Sequence, residues 1–402
     1  MLEIKPIFNA LLRSKVGAVL LLIQIAITTA IVSNAAFIIN DRIEYLNQPT
    51  GYQEDNMFKF NVMMFGTDVD LIQQVELDEA TLRQMPGVVN AVHINAVPLT
   101  GGGSSTTFRL KPAPDKAKTD NASYFETDEH GLDTLGVELI AGRNFTQDEV
   151  VINRDFSKHP NVALATKALM DELFPDGDGL GKILYMGDQP LKVVGIIGMM
   201  KGPWLKLEER KDKSVILPLL YPHKLQQFLV RTEPGQRAEV MKQIESVMHQ
   251  SYGKRVIQDL TGLDKKKANY VAEDLLMMRM LVILISVLVL VTALGIFGLT
   301  LFNINKRTKQ IGIRRALGAR KSAIVKFFVV ENSIICLAGL VLGVCGAVVL
   351  GQQLMTQYSV PALSYEYVAI TALGVFVMSL LAVIGPAKRA ANIAPSIATR
   401  TI

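Results

Sequence analysis

Two short segments in the middle of the chain contain residue types that bind phosphate or calcium. The sequence GLGKI at residues 179–183 offers glycine amides and a lysine, as a phosphate-binding loop does. Asp176 stands where that motif needs its first glycine, and Ile183 where it needs serine or threonine. The stretch DGDGLG also begins like a calcium loop, but Leu180 and Gly187 occupy two of the ligand positions. Both segments are therefore interpreted as surface turns.

The histidines and cysteines form no pattern typical of catalysis or of a metal centre. The five histidines are scattered, and none stands at a metal-ligand spacing from another: His93, His130, His159, His223 and His249. Cys336 and Cys345 lie on one predicted helix, where they cannot reach disulfide distance. No nucleophile is paired with a base. We therefore expect no catalytic site, no metal site and no bound cofactor, and the chain by itself is not expected to be an enzyme.

A compact basic segment is the strongest functional signal. Residues 303–326 contain eight lysines and arginines and no acidic residue. Such loops commonly do no more than fix membrane topology. Here apolar residues are interspersed among the charges, as in an amphipathic helix on the inner membrane face: Ile311, Ala316, Leu317 and Ile324. With Gly312 and Gly318 allowing bends, this segment is suited to a groove on another protein, or to anionic lipid.

The elements that must position this segment are long apolar helices. Half of the 402 residues are hydrophobic, and the mean hydropathy of +0.28 is high for a soluble protein. Four apolar stretches are long enough to cross a bilayer core of about 30 Å. They cover residues 16–39, 280–302, 327–350 and 367–384. The predicted fold class is a membrane protein with four transmembrane α-helices and a large α+β extracytoplasmic domain inserted between helices 1 and 2.

The distribution of charge predicts the topology. Residues 41–274 carry 27 basic and 34 acidic side chains, whereas the rest of the chain carries 15 basic and 3 acidic. Because basic loops are retained in the cytoplasm, both termini are expected inside and the large domain outside. The first apolar run is too long for a cleavable signal peptide and is interpreted as a signal anchor.

These patterns divide the chain into eight segments. They are an N-terminal segment with the first span (1–40), the extracytoplasmic domain (41–274), the stalk end with the second span (275–302), the coupling segment (303–326), the third span (327–350), a short outer loop (351–366), the fourth span (367–384) and a cytoplasmic tail (385–402).

The extracytoplasmic domain contains two βαβ-like halves, at about residues 55–111 and 218–264, which we expect to pair into one split α+β layer. The subdomain inserted between them, at about 112–217, is predicted to contain short strands, a helix near 161–174 and a hairpin that turns at Gly187-Asp188. Residues 265–279 are compatible with a helix that runs unbroken into the second span, as a rigid stalk.

Several of these stretches resemble one superfamily of transporters. QIGIRRALGARKSAIVKFFVVEN resembles the segment after the second span of FtsX-like permeases, and the tail GPAKRAANIAPSIATR is similar to the ending of that superfamily. In the outer domain, VELIAGRNFT, VVINRDF and LFPDGDGLGKILYMGDQPLKVVGIIG resemble the extracytoplasmic domain of MacB-type permeases. The resemblance spans nearly the whole chain, and it identifies the two βαβ-like halves as a porter-like subdomain.

The resemblance implies a permease subunit of an ABC transporter of the mechanotransmission type. A separate cytoplasmic ATPase would bind ATP and Mg, and its closure would move the outer domains and export a substrate without passing it through the membrane. The implied partners are a second permease copy or a paralogue in a dimer, a periplasmic adaptor with an outer-membrane channel, and membrane lipid, but no nucleic acid. The implied location is the bacterial inner membrane.

The resemblance also assigns roles to residues of this chain. The ATPase-coupling surface is predicted to comprise Ile311, Gly312, Arg314, Arg315, Ala316, Leu317 and Gly318, with Glu331 as its anchor. In the third span, Gly339, Gly343 and Gly346 form a stripe of small residues suited to close helix packing.

Two alternative functions stay open at the level of sequence. A lipoprotein-releasing permease of the Lol type has four spans and a similar outer domain. A signalling scaffold like FtsX itself activates cell-wall hydrolases and moves no substrate. The substrate and the identity of the second permease do not follow from the residues.

Overall fold

The computed structural model describes residues 15–112, 116–153, 158–177, 179–358 and 362–394. The chain divides into two compact units. One unit is Gln48–Ala272, and the other combines the residues up to Asn47 with those from Glu273 onward.

The described helices are numbered in chain order. They are α1 (Lys15–Leu46), α2 (Leu71–Arg83), α3 (Gly131–Leu135), α4 (Lys167–Leu173), α5 (Arg237–Ser251), α6 (Leu263–Tyr270), α7 (Ala272–Lys306), α8 (Thr308–Ala316), α9 (Lys321–Tyr358) and α10 (Tyr365–Ala391).

The described strands all lie between α1 and α6. They are β1 (Met57–Met64), β2 (Val88–His93), β3 (Ser104–Arg109), β4 (Thr119–Thr127), β5 (Leu139–Gly142), β6 (Val151–Ile152), β7 (Val162–Thr166), β8 (Ile183–Met186), β9 (Gln189–Ile197), β10 (Ser214–Leu220), β11 (Leu225–Thr232) and β12 (Arg255–Gly262).

Helices α1, α7, α9 and α10 are each long and apolar enough to cross a membrane. Each contains one of the four predicted apolar stretches and extends beyond it at both ends, because polar residues can continue a helix outside the hydrocarbon. Four such helices with an α+β domain between the first and the second confirm the predicted fold class.

Small and polar residues hold the long helices together. In α9, Gly339 lies against Ile25 of α1, and Gly346 lies near Ala30. The hydroxyl groups of Thr28 and Thr292 are hydrogen-bonded at 2.8 Å, which links α1 to α7. Because lipid chains are as apolar as leucine, contacts of this kind rather than hydrophobic burial hold membrane helices in register.

Replacing Gly343 with isoleucine is expected to force α1 and α9 apart. A Cβ atom at this position would lie 2.7 Å from Cβ of Thr29 and 2.9 Å from the backbone oxygen of Ala26, which cannot move independently of its helix. Overpacking of this kind costs about 1–3 kcal/mol. The melting temperature of the full chain in detergent should therefore fall. Gly298→Ile is the matched control, since no described residue lies within 4 Å of a Cβ there, and equal stability of the two variants would contradict the prediction.

The first sheet of the α+β domain has the strand order β12-β1-β11-β2. Strand β11 is antiparallel to both β1 and β2, so that β1-α2-β2 forms a split βαβ unit. The side chain of Asp70 caps α2 by accepting a hydrogen bond from the amide of Ile72 at 2.9 Å. Helices α2 and α5 cover one face of the sheet and bury a core that includes Phe60 and Phe228, whose rings stack 5.4 Å apart.

The second sheet follows the order β4-β3-β8-β9-β7-β10-β6, and an additional pairing of β4 with β10 closes six of its strands into a ring. The hairpin predicted at Gly187-Asp188 is confirmed, with Met186 opposite Gln189 and a left-handed φ of +65° at Gly187. The helix predicted near 161–174 is partly wrong, because Val162–Thr166 is the fully buried strand β7 and only Lys167–Leu173 is helical.

The helix predicted to run unbroken through residues 265–279 is interrupted. Helix α6 ends at Tyr270, and Val271 has a ψ of 4°, which is outside the helical range. Ion pairs with the rest of the α+β domain hold α6 in place, at 2.7 Å from Arg237 to Asp264 and at 2.8 Å from Lys267 to Glu54. These contacts fix α6 independently of the long helix that follows it.

Candidate functional site

The basic segment folds into the short helix α8 between the second and third long helices. Ile311 and Gly312 form its buried side. Ile311 is 5% exposed and belongs to an apolar cluster with Ile304 of α7, Ile324 of α9 and Ala387 of α10. Because Ile311 is buried in one apolar cluster with residues of three long helices, α8 is held against α7, α9 and α10.

The turn after α8 presents a large apolar side chain. Leu317 is 83% exposed, and Ile313, one helical turn earlier, is 46% exposed. Gly318 follows with a φ of +91°, a conformation that favours glycine and turns the chain towards α9. The guanidinium of Arg315 donates to the carbonyl of Ala319 at 2.7 Å. This hydrogen bond braces the turn that carries Leu317.

An ion pair fixes the beginning of the segment. Nη1 of Arg307, between α7 and α8, lies 3.0 Å from Oε2 of Glu331 in α9, and only 16% and 5% of the two side chains are exposed. The next residue, Asn332, lies within 3.4 Å of the hydroxyl of Ser379 in α10. Polar contacts thus connect the α7–α8 junction to α9, and α9 to α10.

The structure divides the predicted coupling residues between two roles. Ile311, Gly312 and Glu331 are buried and hold the segment in place, and Arg315 braces the turn. The other four predicted coupling residues are exposed and lie within residues 314–318: Arg314, Ala316, Leu317 and Gly318. The expectation of a bend at Gly312 is wrong, because this residue lies inside α8.

Two residues of this site are absent from the sequence-based prediction. Arg307 is the partner of Glu331, and Ile313 lies four residues before Leu317 on the exposed side of α8. The spacing of Ile313 and Leu317 is a signal that was available in the sequence, since residues at i and i+4 share one face of a helix. The contact between Arg307 and Glu331 spans 24 positions, and no local pattern predicts it.

One group of possible metal ligands occurs among the described residues. Ligand atoms of Asp128, Glu129 and His130 lie within 4.8 Å of one another, although the sequence-based prediction had no metal site. Arg83 already lies 3.7 Å from the Asp128 carboxylate, and the backbone amide of His130 donates to it at 2.9 Å. Since these contacts already satisfy much of Asp128, we assign the group to the structure of the domain.

The α+β domain also contains a carboxyl group with an unusual pKa. Glu126 lies in β4, where burial raises its pKa to about 7. Its backbone amide donates to Oδ1 of Asn95 at 2.9 Å. This hydrogen bond fixes the backbone and does not involve the carboxyl group. Folding therefore favours the protonated acid.

Stability of the α+β domain is expected to fall as the pH rises from 4 to 8. In the unfolded chain Glu126 ionises near its usual pKa of about 4.3, so between about pH 4.3 and 7 the folded state binds more protons than the unfolded state. The full cost applies above about pH 8, and Glu126→Gln should then stabilise the domain by about 3–4 kcal/mol, with little gain at pH 4. Fluorescence of Trp204, the single tryptophan of the chain, reports unfolding of this domain. An equal gain at both pH values would contradict the prediction.

Four apolar helices, with an α+β domain between the first and second and a short basic helix between the second and third, define a class of polytopic membrane protein with an extracytoplasmic domain. Two family models match the chain. The MacB-like periplasmic core domain matches residues 16–247, and the FtsX-like permease C-terminal matches residues 282–395. The chain belongs to the family of ABC transporter permeases that combine an FtsX-like membrane unit with a MacB-like periplasmic core domain.

Curated relatives and one solved structure are similar to parts of this chain. The macrolide export ATP-binding/permease protein MacB of Neisseria meningitidis is 28% identical over 268 residues, which cover 62% of this chain and 37% of that protein. The uncharacterized ABC transporter permease YvrN of Bacillus subtilis is 24% identical over 366 residues, which cover 86% of this chain and 79% of that protein. The periplasmic region of MacB from Actinobacillus actinomycetemcomitans is 16% identical, with a TM-score of 0.34 over 54% of this chain and 94% of that structure.

Proposed function

We propose that this chain is the permease subunit of an ABC transporter of the mechanotransmission type. In this proposal, ATP hydrolysis by a separate ATPase subunit moves the extracytoplasmic domain and so drives export. The observation that carries it is an exposed apolar pair: Ile313 on α8, which packs against the long helices, and Leu317 directly after α8.

The exposed side of α8 has the properties of a docking surface. A leucine with 83% of its surface exposed gains free energy when a partner covers it and removes that surface from water. The pair at i and i+4 matches the anchors of a helix that lies in a groove of another protein. The surrounding Arg314, Arg320 and Lys321 are exposed and favour a partner whose groove has an acidic rim. A cytoplasmic ATPase is the partner that the family supplies.

The buried contacts of α8 would transmit the motion of such a partner. A force on Leu317 acts on α8, and Ile311 together with the Arg307–Glu331 ion pair passes it to α7, α9 and α10. The sequence connects two of the long helices directly to the α+β domain, because α1 ends at Leu46 and α7 begins at Ala272. Closure of the ATPase would thus reach the extracytoplasmic domain through rigid helices.

The remaining parts of the proposal follow from the family and from charge. ATP and Mg would bind on the ATPase, and both termini of the permease would lie in the cytoplasm, on the side of the basic segment. A second permease copy or a paralogue would complete a dimer in a bacterial inner membrane. A periplasmic adaptor and an outer-membrane channel would receive the exported substrate. Export as the output is supported by the name of the Neisseria meningitidis relative, a macrolide export protein.

Affinity purification of the tagged full chain from its native membranes tests this function. We expect one cytoplasmic ABC ATPase to co-purify in a fixed ratio, together with an adaptor and, for a heterodimer, a second permease. Mass spectrometry identifies each component. Purification with a cell-wall hydrolase or a lipoprotein carrier in place of the adaptor would redirect the function to signalling or lipoprotein release, and the absence of any ATPase would overturn the proposal.

A further inference from the structure

The α+β domain contains a cleft that the coupling mechanism does not use. Its volume is about 540 Å³, a size typical of sites for drug-sized ligands. The end of β2 and the beginning of β11, from the first sheet, form one side. Residues of β4, β8 and β10, from the second sheet, form the other. The cleft therefore lies where the two sheets of the domain meet.

Two buried side chains of the first sheet border this cleft and have polar atoms with no hydrogen bond to any described residue. His93 is 4% exposed, and its Nδ1 has no hydrogen bond to any described residue. Gln226 is fully buried, and neither atom of its carboxamide is paired within the described part of the chain. His93 lies opposite Phe228 in the ladder, two positions from Gln226, so the two polar groups share one face of the sheet. Buried polar atoms are rarely left unpaired, but these atoms have almost no accessible surface, so they lie behind the wall of the cleft and do not contact a ligand in it.

Other polar residues of the walls are already fixed. The carboxamide of Asn95 accepts from the Glu126 amide at 2.9 Å, and that of Gln227 donates to Asn61 at 3.1 Å. The ring of His93 rests edge-on against Phe228, with centroids 6.0 Å apart. A wall that is rigid before binding loses little conformational entropy when a ligand binds.

The charge of the lining residues determines which sign of charge the ligand should carry. Among the described lining residues, Glu126 is the only one with a carboxyl group, and none is a lysine or an arginine. Among the described residues, no side chain forms an ion pair with Glu126. Burial and the neighbouring His223 lower the pKa of His93 to about 4, so this imidazole is uncharged at neutral pH. Tyr124 and Tyr221 also line the cleft and offer aromatic faces to a cation.

We propose that this cleft binds a drug-sized organic molecule with one ammonium group, which pairs with the carboxylate of Glu126. Leu219 and Leu225 contact the apolar part of the ligand. A molecule of about 20–30 non-hydrogen atoms fits this volume. The inference does not depend on the coupling surface, because it concerns binding to the extracytoplasmic domain alone.

Dansylcadaverine is a suitable probe, since it is fluorescent, is of the right size and carries a primary ammonium group. Its N-acetyl derivative is a matched neutral control. With the full chain in lipid nanodiscs at pH 8, we expect saturable binding of dansylcadaverine and at least tenfold weaker binding of the acetylated form. Subtraction of the signal from empty nanodiscs removes partition into lipid.

Two variants locate the site. Glu126→Gln is expected to weaken binding of dansylcadaverine at least tenfold and to leave the acetylated form unchanged, whereas Glu76→Gln, on the exposed side of α2, should change neither. At pH 8 Glu126→Gln should also raise the melting temperature followed by Trp204 fluorescence, because it removes a carboxylate whose ionisation burial disfavours. The rise in melting temperature shows that lost binding does not result from misfolding.

The pH dependence gives an independent readout. Lowering the pH from 8 to 6 protonates Glu126 and should weaken binding of the probe, which stays charged throughout. His93, His159, His223, Tyr124 and Tyr221 also line the cleft. The pH dependence of binding that remains in Glu126→Gln measures the contribution of these five residues. Equal affinity for the charged and acetylated probes, or full binding by Glu126→Gln, would overturn the cation site, and preference for the acetylated probe would assign the cleft to a neutral ligand.

Discussion

Replacing Leu317 with aspartate is expected to abolish co-purification of the ATPase while the permease still inserts and folds. Because the side chain is 83% exposed, the change removes almost no contact within the chain. In the complex it would remove a central apolar anchor, a loss of about 2 kcal/mol or more, which corresponds to about a thirtyfold weaker interaction. It would also place an unpaired carboxylate in the interface, at a further cost. The measurement is the amount of ATPase recovered per permease in a pull-down.

Conservative and neighbouring changes make this prediction specific. Leu317→Met keeps the volume and the apolar character, so it should retain the ATPase. Ile313→Asp, one turn earlier on the same exposed side of α8, should weaken recovery less, since Ile313 is 46% exposed. Normal recovery with Leu317→Asp would remove the coupling role from this surface. Loss of the permease itself from the membrane would instead show that Leu317 is needed for folding.

The membrane part of the fold could be predicted because its signal is local. A run of about 20 apolar residues has few alternatives to a spanning helix. Residues 280–302 are such a run, and they lie within α7. The hairpin at Gly187 is predictable for a similar reason, since two adjacent residues determine the turn.

The errors occur where tertiary contacts override local preference. Val162–Thr166 is apolar and short, and periodicity alone does not distinguish a strand buried on both faces from a buried helix. The break at Val271 arises because α6 is held by ion pairs to the α+β domain, including the one from Lys267 to Glu54. That contact joins residues 213 positions apart, so nothing near 265–279 indicates it.

The two candidate sites also differ in whether local sequence or tertiary structure brings their residues together. The basic segment with Leu317 is contiguous, so its residue types alone predicted an exposed amphipathic helix. The cleft is formed by single residues of many strands, for example His93, Glu126 and Gln226, which come together only after both sheets have formed. A single histidine or glutamine in a sequence does not predict which residues of other strands will surround it.

A fully buried ion pair supports the first sheet of the α+β domain. Nη1 of Arg255 lies 2.8 Å from Oδ2 of Asp78, and both side chains are completely buried. The other carboxylate oxygen of Asp78 accepts from Nε2 of Gln74 and from the hydroxyl of Ser251, each at 2.8 Å. The ring of Tyr252 lies 5.4 Å from the guanidinium. Asp78 thus links α2 to the end of α5 and to β12.

Asp78→Asn is expected to destabilise the domain by about 3–5 kcal/mol, because it leaves the Arg255 guanidinium buried without a counter-ion. For a domain of this size, that loss lowers the melting temperature by on the order of 10 °C. Trp204 lies in the same domain and is the only tryptophan of the chain, so its fluorescence follows this unfolding without a signal from the long helices.

Two further variants distinguish the loss of a charge partner from the loss of packing. Asp78→Leu combined with Arg255→Met should recover most of the stability, since a buried ion pair replaced by apolar residues of similar volume is often no less stable. Asp68→Asn breaks the exposed pair with Lys254, next to Arg255, and should leave the melting temperature unchanged. If Asp78→Asn were as stable as the native chain, Arg255 would have to reach water, and the closed packing of α2, α5 and β12 would be wrong. If the double variant were as unstable as Asp78→Asn, the hydrogen bonds to Gln74 and Ser251 rather than the ion pair would be what holds these elements together.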